Sequence, residues 1–197
     1  MEILYRPAKK KESLRLAELI NIASEGGIDY LFHDLIPGMT PVEIVAHGLE
    51  GDEEPHTYRN ALVAQQGLKA VGIALSYPSH LHRITDEMRR LIPKERLEPL
   101  QSFYSVQVEN SLYLDALCVE EGFRGRGIGS ELITLVKAKA EEIGYQALSL
   151  MVFADNTRAQ RLYWRHGFEV VQRVELTPHP LIPHEGGCFL MRCAVRL

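Results

Sequence analysis

The sequence predicts an α/β protein whose mixed sheet carries helices on both faces. Three observations predict it. Residues 112–119 form an apolar, strand-like run that leads through Phe-Arg-Gly-Arg-Gly-Ile-Gly, residues 123–129, into a long amphipathic helix. Residues 148–153 repeat the theme as a short buried strand followed by a second helix. Residues 61–65 and 70–77 flank Gln66-Gly67 as a hairpin.

Taken in order, residues 3–6 read as a first strand and residues 13–23 as a helix with Leu14, Ala17, Ile20 and Asn21 on one side. Glu25-Gly26-Gly27 breaks that helix. A second helix begins at Thr40, with Pro41 in its first turn and Glu43 three residues after the threonine cap. Residues 78–110 are richer in charge, hold two short helical stretches (85–91 and 93–103), and read as an insertion before the main strand. After the glycine segment, Ile128, Leu132, Leu135, Val136, Ala140 and Ile143 recur at helical spacing, and Gly144 fits a left-handed cap. Asp155-Asn156 opens the next helix, where Ala159, Leu162, Tyr163 and His166 line one side and Gly167-Phe168 ends it. Residues 169–176 and 188–196 close the sheet across a loop with Pro178, Pro180 and Pro183.

Composition bounds the function classes. The 197 residues suit a single domain, residues 1–197, with 46% hydrophobic and 24% charged content. No run approaches the ~18 apolar residues of a membrane span, and the N-terminus lacks the parts of a signal peptide. The odd set Cys118, Cys188 and Cys193 has no metal-ligand spacing, and His80 and His82 lack further ligands, so no metal is expected; reduced thiols in the cytoplasm are the simplest reading. A net charge of −4 argues against wholesale nucleic-acid binding.

The glycine segment carries the most chemistry. A strand-to-helix junction presents unpaired amides and the positive end of the helix dipole, and its glycines let backbone approach phosphate oxygens closely. Gly122 and Gly127 have Walker separation, but Ile128 and Gly129 follow where a lysine and a hydroxyl residue are required. Gly125, Gly127 and Ser130 nearly fit a dinucleotide fingerprint, yet no acid ends the next strand before Asp155. The pattern Arg/Gln-x-x-Gly-x-Gly/Ala is met by Arg124, Gly127 and Gly129. With the strand before it, the Asn-capped helix after it, Tyr163 and Gly167-Phe168, residues 112–176 resemble the core of the GNAT superfamily of N-acetyltransferases.

That resemblance implies the GNAT (acyl-CoA N-acyltransferase) fold, with a mostly antiparallel mixed sheet, and acetyl-CoA as cofactor. It implies that Arg124, Gly125, Arg126, Gly127, Ile128, Gly129 and Ser130 hold the pyrophosphate. Leu117, Cys118 and Val119 would pair with the pantetheine arm, the Val119 amide facing the thioester oxygen. Asn156 matches an asparagine near pantetheine, and Tyr163 matches the general acid to the leaving thiolate, against the alternative of a core aromatic. Cys118 turns away from the Leu117 face in a regular strand, against a covalent acyl-cysteine route. Some members place a glutamate where Met151 stands here, which argues against the branch acting on ribosomal-protein N-termini.

Tyr113, Asp115 and Leu117 share a face if their strand is regular. Asp115 is a carboxylate in an apolar strand, open to three roles: base, binder of a cationic amine, or partner of an arginine. From Glu25 to Tyr58 there are eight acids (Glu25, Asp29, Asp34, Glu43, Glu50, Asp52, Glu53, Glu54) and no Lys or Arg. In the family this region lines the acceptor site, where an acidic rim would attract a cationic amine; a solvated surface is the alternative. Tyr30, Phe32 and His33 are candidates for the acceptor wall or for core. The expected function is N-acetyltransfer to the primary amine of a small molecule, with no nucleic-acid or membrane partner. Acetylation of a protein lysine or N-terminus, and non-catalytic acyl-CoA binding, are the alternatives. Many relatives dimerise, which leaves a homodimer open; the sequence itself gives no oligomeric state.

Overall fold

The computed structural model describes residues 2–195. Its seven strands are β1 (Leu4–Pro7), β2 (Ala61–Gln66), β3 (Lys69–Pro78), β4 (Ser111–Val119), β5 (Ala147–Phe153), β6 (Glu169–Val174) and β7 (Cys188–Ala194). They form one sheet in the order β1-β2-β3-β4-β5-β7-β6. Only β4 and β5 are parallel; every other neighbouring pair is antiparallel. The helices are α1 (Ser13–Ser24), α2 (Gly27–Phe32), α3 (Pro41–Glu50), α4 (Asp86–Leu91), α5 (Lys94–Leu97), α6 (Gln101–Tyr104), α7 (Ile128–Glu142) and α8 (Thr157–Arg165). Among the described residues, no helix is long and apolar enough to cross a membrane.

Alternation along the strands sorts the core onto two faces. Leu16, Leu19 and Leu49 of α1 and α3 pack with Val63, Ile73, Leu75, Ala116 and Cys118. Ile128, Leu132, Ile133 and Val136 of α7 pack on the opposite face with Val71, Ala74, Leu112, Leu114 and Leu148. Leu132, Ile133 and Val136 are completely buried. At about 1.5–3 kcal/mol each, they fix α7, and with it the glycine segment, against the sheet.

The expected elements are present, with corrections. Residues 24–40 were expected to hold only a break, yet α2 forms there because Tyr30 and Leu31 bury against Ile92 and Leu97. In α1 the buried side is Leu16, Ala17, Leu19 and Ile20, while Leu14 is exposed, because the sheet lies one residue further round the helix. Ile143 caps α7 in solvent, and Ile133 takes its place in the core. β6 ends at Val174 instead of residue 176. Arg196, the expected end of the last strand, lies outside the described residues.

The strand that matters most is not regular. Leu75 pairs with Ala116 and Ser76 with Leu114, so Asp115 is an extra residue on β4, a bulge. Leu112 and Leu114 face α7 before it, and Leu117 and Val119 face α7 after it. Asp115 meets Tyr77 on the opposite side, the side on which Ala116 and Cys118 pack against α1. The shared face expected for Asp115 and Leu117 is therefore wrong, and the bulge is its cause.

Because α7 is anchored by side chains with no room to relax, Leu132→Ala should lower the unfolding free energy by roughly 2–5 kcal/mol. Chemical denaturation checks this, as a lower midpoint at an unchanged slope.

Candidate active site

β4 and β5 hydrogen-bond over only three pairs, Ser111–Ala147, Leu112–Leu148 and Tyr113–Ser149, although both strands continue to Val119 and Phe153. Beyond Tyr113 the strands part. The β4 edge facing β5 is then left without a strand partner, a row of backbone groups that must be satisfied by something else. A cavity of ≈ 1340 Å³ occupies this region and reaches Leu117 and Val119 of β4, the glycine segment, Asn156 and Tyr163.

At one end the chain turns through residues 121–127. Gly125 (φ 75°) and Gly127 (φ 80°) adopt left-handed backbone, and no atom lies within 4 Å of where their Cβ would sit. Gly127 caps α7, whose first helical donor is the Glu131 amide bonding to the Gly127 carbonyl at 3.0 Å. The amides of Ile128, Gly129 and Ser130 precede it and have no acceptor within the helix. Arg124 lines the cavity and donates to the Val119 carbonyl at 2.8 Å. Arg126 instead bonds the Gly122 carbonyl at 3.0 Å and covers the Phe123 ring, off the cavity wall.

Cys118 turns its buried thiol toward α1, and burial pushes it up to about 11, so it is a thiol at neutral pH. Asn156 accepts from the Ala159 amide (3.0 Å) as the cap of α8, while its Nδ2 donates to both oxygens of Glu25 (3.0 and 2.8 Å). Tyr163 is buried against Phe168, and burial, then the charge of Glu25, raises its hydroxyl above the ordinary phenol range. It holds its proton at neutral pH, as a donor must.

The other half of the cavity is built around Asp115. Its Oδ1 accepts from the Tyr77 hydroxyl at 2.7 Å, and its Oδ2 faces His56 Nε2 at 3.7 Å. Burial works to raise this carboxyl, but the nearby His56 ring, then the Tyr77 hydroxyl, outweigh it and hold the group below its usual range. Burial correspondingly lowers His56, and Asp115 with Glu54 and Glu87 more than reverses that. Among the described residues, no arginine pairs with Asp115. Of the eight acids in residues 25–58, Glu25, Asp52, Glu53 and Glu54 line the cavity. Glu43 is spent in the α3 capping box. Tyr30 and Phe32 line the wall, whereas His33 is exposed, pairs with Asp34 and lies off it.

A roof covers this half. Gly26 (φ 101°) comes so close to residue 181 that an added Cβ would sit 1.9 Å from the Leu181 oxygen. His184, stacked on Phe153, reaches Glu25 (3.2 Å) and Asp155 (2.6 Å). Tyr30 meets the His179 ring edge-on, and Arg96 bonds the carbonyls of Leu31 (3.1 Å) and His33 (2.6 Å). Sequence reasoning missed His56, His184 and Glu87. His56 sits inside the acid-rich stretch, which is its only local signal; His184 has none, because its partners are remote in sequence.

Comparisons with known proteins bear on the family and the fold. The model described as the Acetyltransferase (GNAT) family matches residues 43–168, more than half of the chain. A mycothiol acetyltransferase of Jonesia denitrificans is 36% identical over 99 residues, 49% of this chain and 29% of that protein, so the match spans under a third of the relative's length. Among solved structures, an acetyltransferase is 27% identical with TM-score 0.69, covering 98% of this chain and all of the other. A mutant agmatine N-acetyltransferase in its apo form shares the fold at 18% identity and TM-score 0.68, over 98% of this chain and 100% of its own.

Gly26→Ala places a Cβ on the Leu181 carbonyl in a backbone conformation that only glycine adopts freely. The roof should lift, seen as faster amide hydrogen exchange across residues 179–184 with little change in α7.

Proposed function

The chain belongs to the GNAT acetyltransferase family, and from that premise we propose that it transfers acetyl from acetyl-CoA to the primary amine of a small cationic molecule. The observation that carries the acceptor class is the roofed, carboxylate-lined half of the cavity around Asp115. A cationic amine is attracted by that lining and loses little by leaving water, because Glu53 and Glu54 replace part of its hydration. A protein lysine or N-terminus would have to enter beneath the contacts that join α2 to residues 179–184.

The residues present fit the cofactor. The unpaired amides at the start of α7 and the open space at Gly125 and Gly127 suit pyrophosphate oxygens, with Arg124 adding charge. The unpartnered β4 edge suits the amides of pantetheine, which would complete it as an added strand. When bound, acetyl-CoA supplies an acetyl group activated as a thioester.

The remaining work falls to side chains. Binding holds the amine and the acetyl carbon in one cavity, a proximity effect worth several kcal/mol of barrier, on the order of 7–11 for ideal alignment. Tyr163 keeps its proton through burial and gives it to the departing thiolate sulfur. Asn156 positions this end of the cavity through its link to Glu25.

An amine panel read by CoA release tests the reading. Polyamines, amino sugars and other small cationic amines should be acetylated, and basic peptides should not; turnover confined to peptides, or to none, would overturn it. Tyr163→Phe should bind acetyl-CoA as the wild type does and lower kcat by about 10²-fold. Gly127→Glu, which sets a carboxylate where the phosphates belong, should abolish acetyl-CoA binding in calorimetry while leaving the unfolding transition cooperative.

A further inference from the structure

We propose that His56 is the general base of the transfer and that Asp115 is its positioning partner, an assignment that rests on the acetyl-transfer reading above. Of the three roles open to Asp115 from the sequence, the geometry favours none in its simple form. One carboxylate oxygen accepts the Tyr77 hydroxyl at 2.7 Å, and the other faces His56 Nε2 at 3.7 Å. A carboxylate so engaged, and held below its usual range, is a poor proton acceptor for an ammonium ion. It is well placed to fix an imidazole.

The imidazole has what the carboxylate lacks. Nε2 faces the Asp115 carboxylate at 3.7 Å, which favours the hydrogen on that nitrogen, and the neutral ring then keeps a free lone pair on Nδ1. No side chain or backbone group of the described residues hydrogen-bonds Nδ1. The Tyr77 ring stands edge-on to it at 5.4 Å and restricts its tilt. Half of the His56 side chain is accessible, and the surface it presents is the cavity wall, with protein packed around it. The bulge at Asp115 places this pair two residues before Leu117, where the unpartnered β4 edge begins to accept the cofactor arm. Tyr163 lines the same cavity. Base and acid therefore line one cavity, together with Leu117 and Val119 of the strand edge.

The protons balance. Nδ1 takes one proton from the bound ammonium, and the freed nitrogen lone pair forms the bond to the acetyl carbon. The carbon–sulfur bond breaks with its electron pair going to sulfur, which takes a proton from the Tyr163 hydroxyl. The nitrogen's second proton restores Tyr163, and His56 releases its proton to solvent. The net change is one amide and one thiol made, and one proton lost.

The groups facing His56 are Asp115 of β4, Tyr77 of β3, Glu54 of its own loop, Glu87 of α4 and His82 beside Tyr113. The three carboxylates outweigh burial and raise the ring above its ordinary range. Catalysis needs the neutral ring, so kcat should rise with pH through an ionisation on the alkaline side of an ordinary histidine.

The test uses the full chain, acetyl-CoA and the best amine of the panel at saturation, with kcat followed against pH. His56→Gln should retain the wild-type affinity for acetyl-CoA, lower kcat by about 10²-fold and lose the rising limb. Asp115→Asn removes one of the charges that raise the ring, so the limb should persist but move to lower pH. A His56→Gln profile that keeps the wild-type limb, or an Asp115→Asn limb that does not move, overturns the assignment while leaving acetyl transfer standing. Should His56→Gln fail to fold, the Asp115→Asn shift decides alone. Wild-type protein that binds acetyl-CoA and acetylates no amine removes the parent reading, and this assignment with it.

Discussion

Everything in the cavity depends on β4 and β5 hydrogen-bonding for three residue pairs and then parting. A parallel pair continued to Val119 would satisfy its own backbone and leave no room between the strands. The divergence exposes one strand edge, which a soluble protein tolerates only if it is covered or used. Here it sits beneath a helix N-terminus on one side and α8 on the other, so the unpaired edge, the helix dipole and Tyr163 meet at one place. α7 is held there by Leu132, Ile133 and Val136, residues that never touch the cavity chemistry.

The two ends of the cavity differ in sign. The cofactor end is built from amides, Arg124 and the positive pole of α7. The opposite half is lined by Asp115, Glu53 and Glu54. A polarity of this kind orients two ligands of opposite charge head to head without a residue devoted to aligning them. The charges and burial set proton affinities too: the anions around His56 raise that of its ring, and burial raises that of the Tyr163 hydroxyl.

Much of this was legible in the sequence, for a local reason. The runs at 112–119 and 148–153, the glycine segment, the Thr40-Pro41-Glu43 start and the Gly144 cap are signals contained within a few residues. The face of α1 was misassigned because Leu14, Leu16, Leu19 and Ile20 are all apolar, and only the sheet decides which of them it covers. α2 escaped notice because six residues that begin with a glycine and follow another have little helical preference of their own; Arg96 and the α4–α5 side chains hold it. The family resemblance allowed for a bulge in this strand, but its place was not legible because Tyr113, Asp115 and Leu117 alternate as a regular strand would. His184 joins Glu25 across the molecule, a pairing that no window along the chain can contain.

The bulge at Asp115 has a further consequence. A single inserted residue divides β4 into two segments whose inward and outward positions are out of phase. Leu112 and Leu114 face α7 before it, and Leu117 and Val119 do so after it, although one continuous backbone carries both. The strand therefore carries two separate alternations along one backbone, and a side chain exchanged on one side of the bulge leaves the pleat on the other side unchanged.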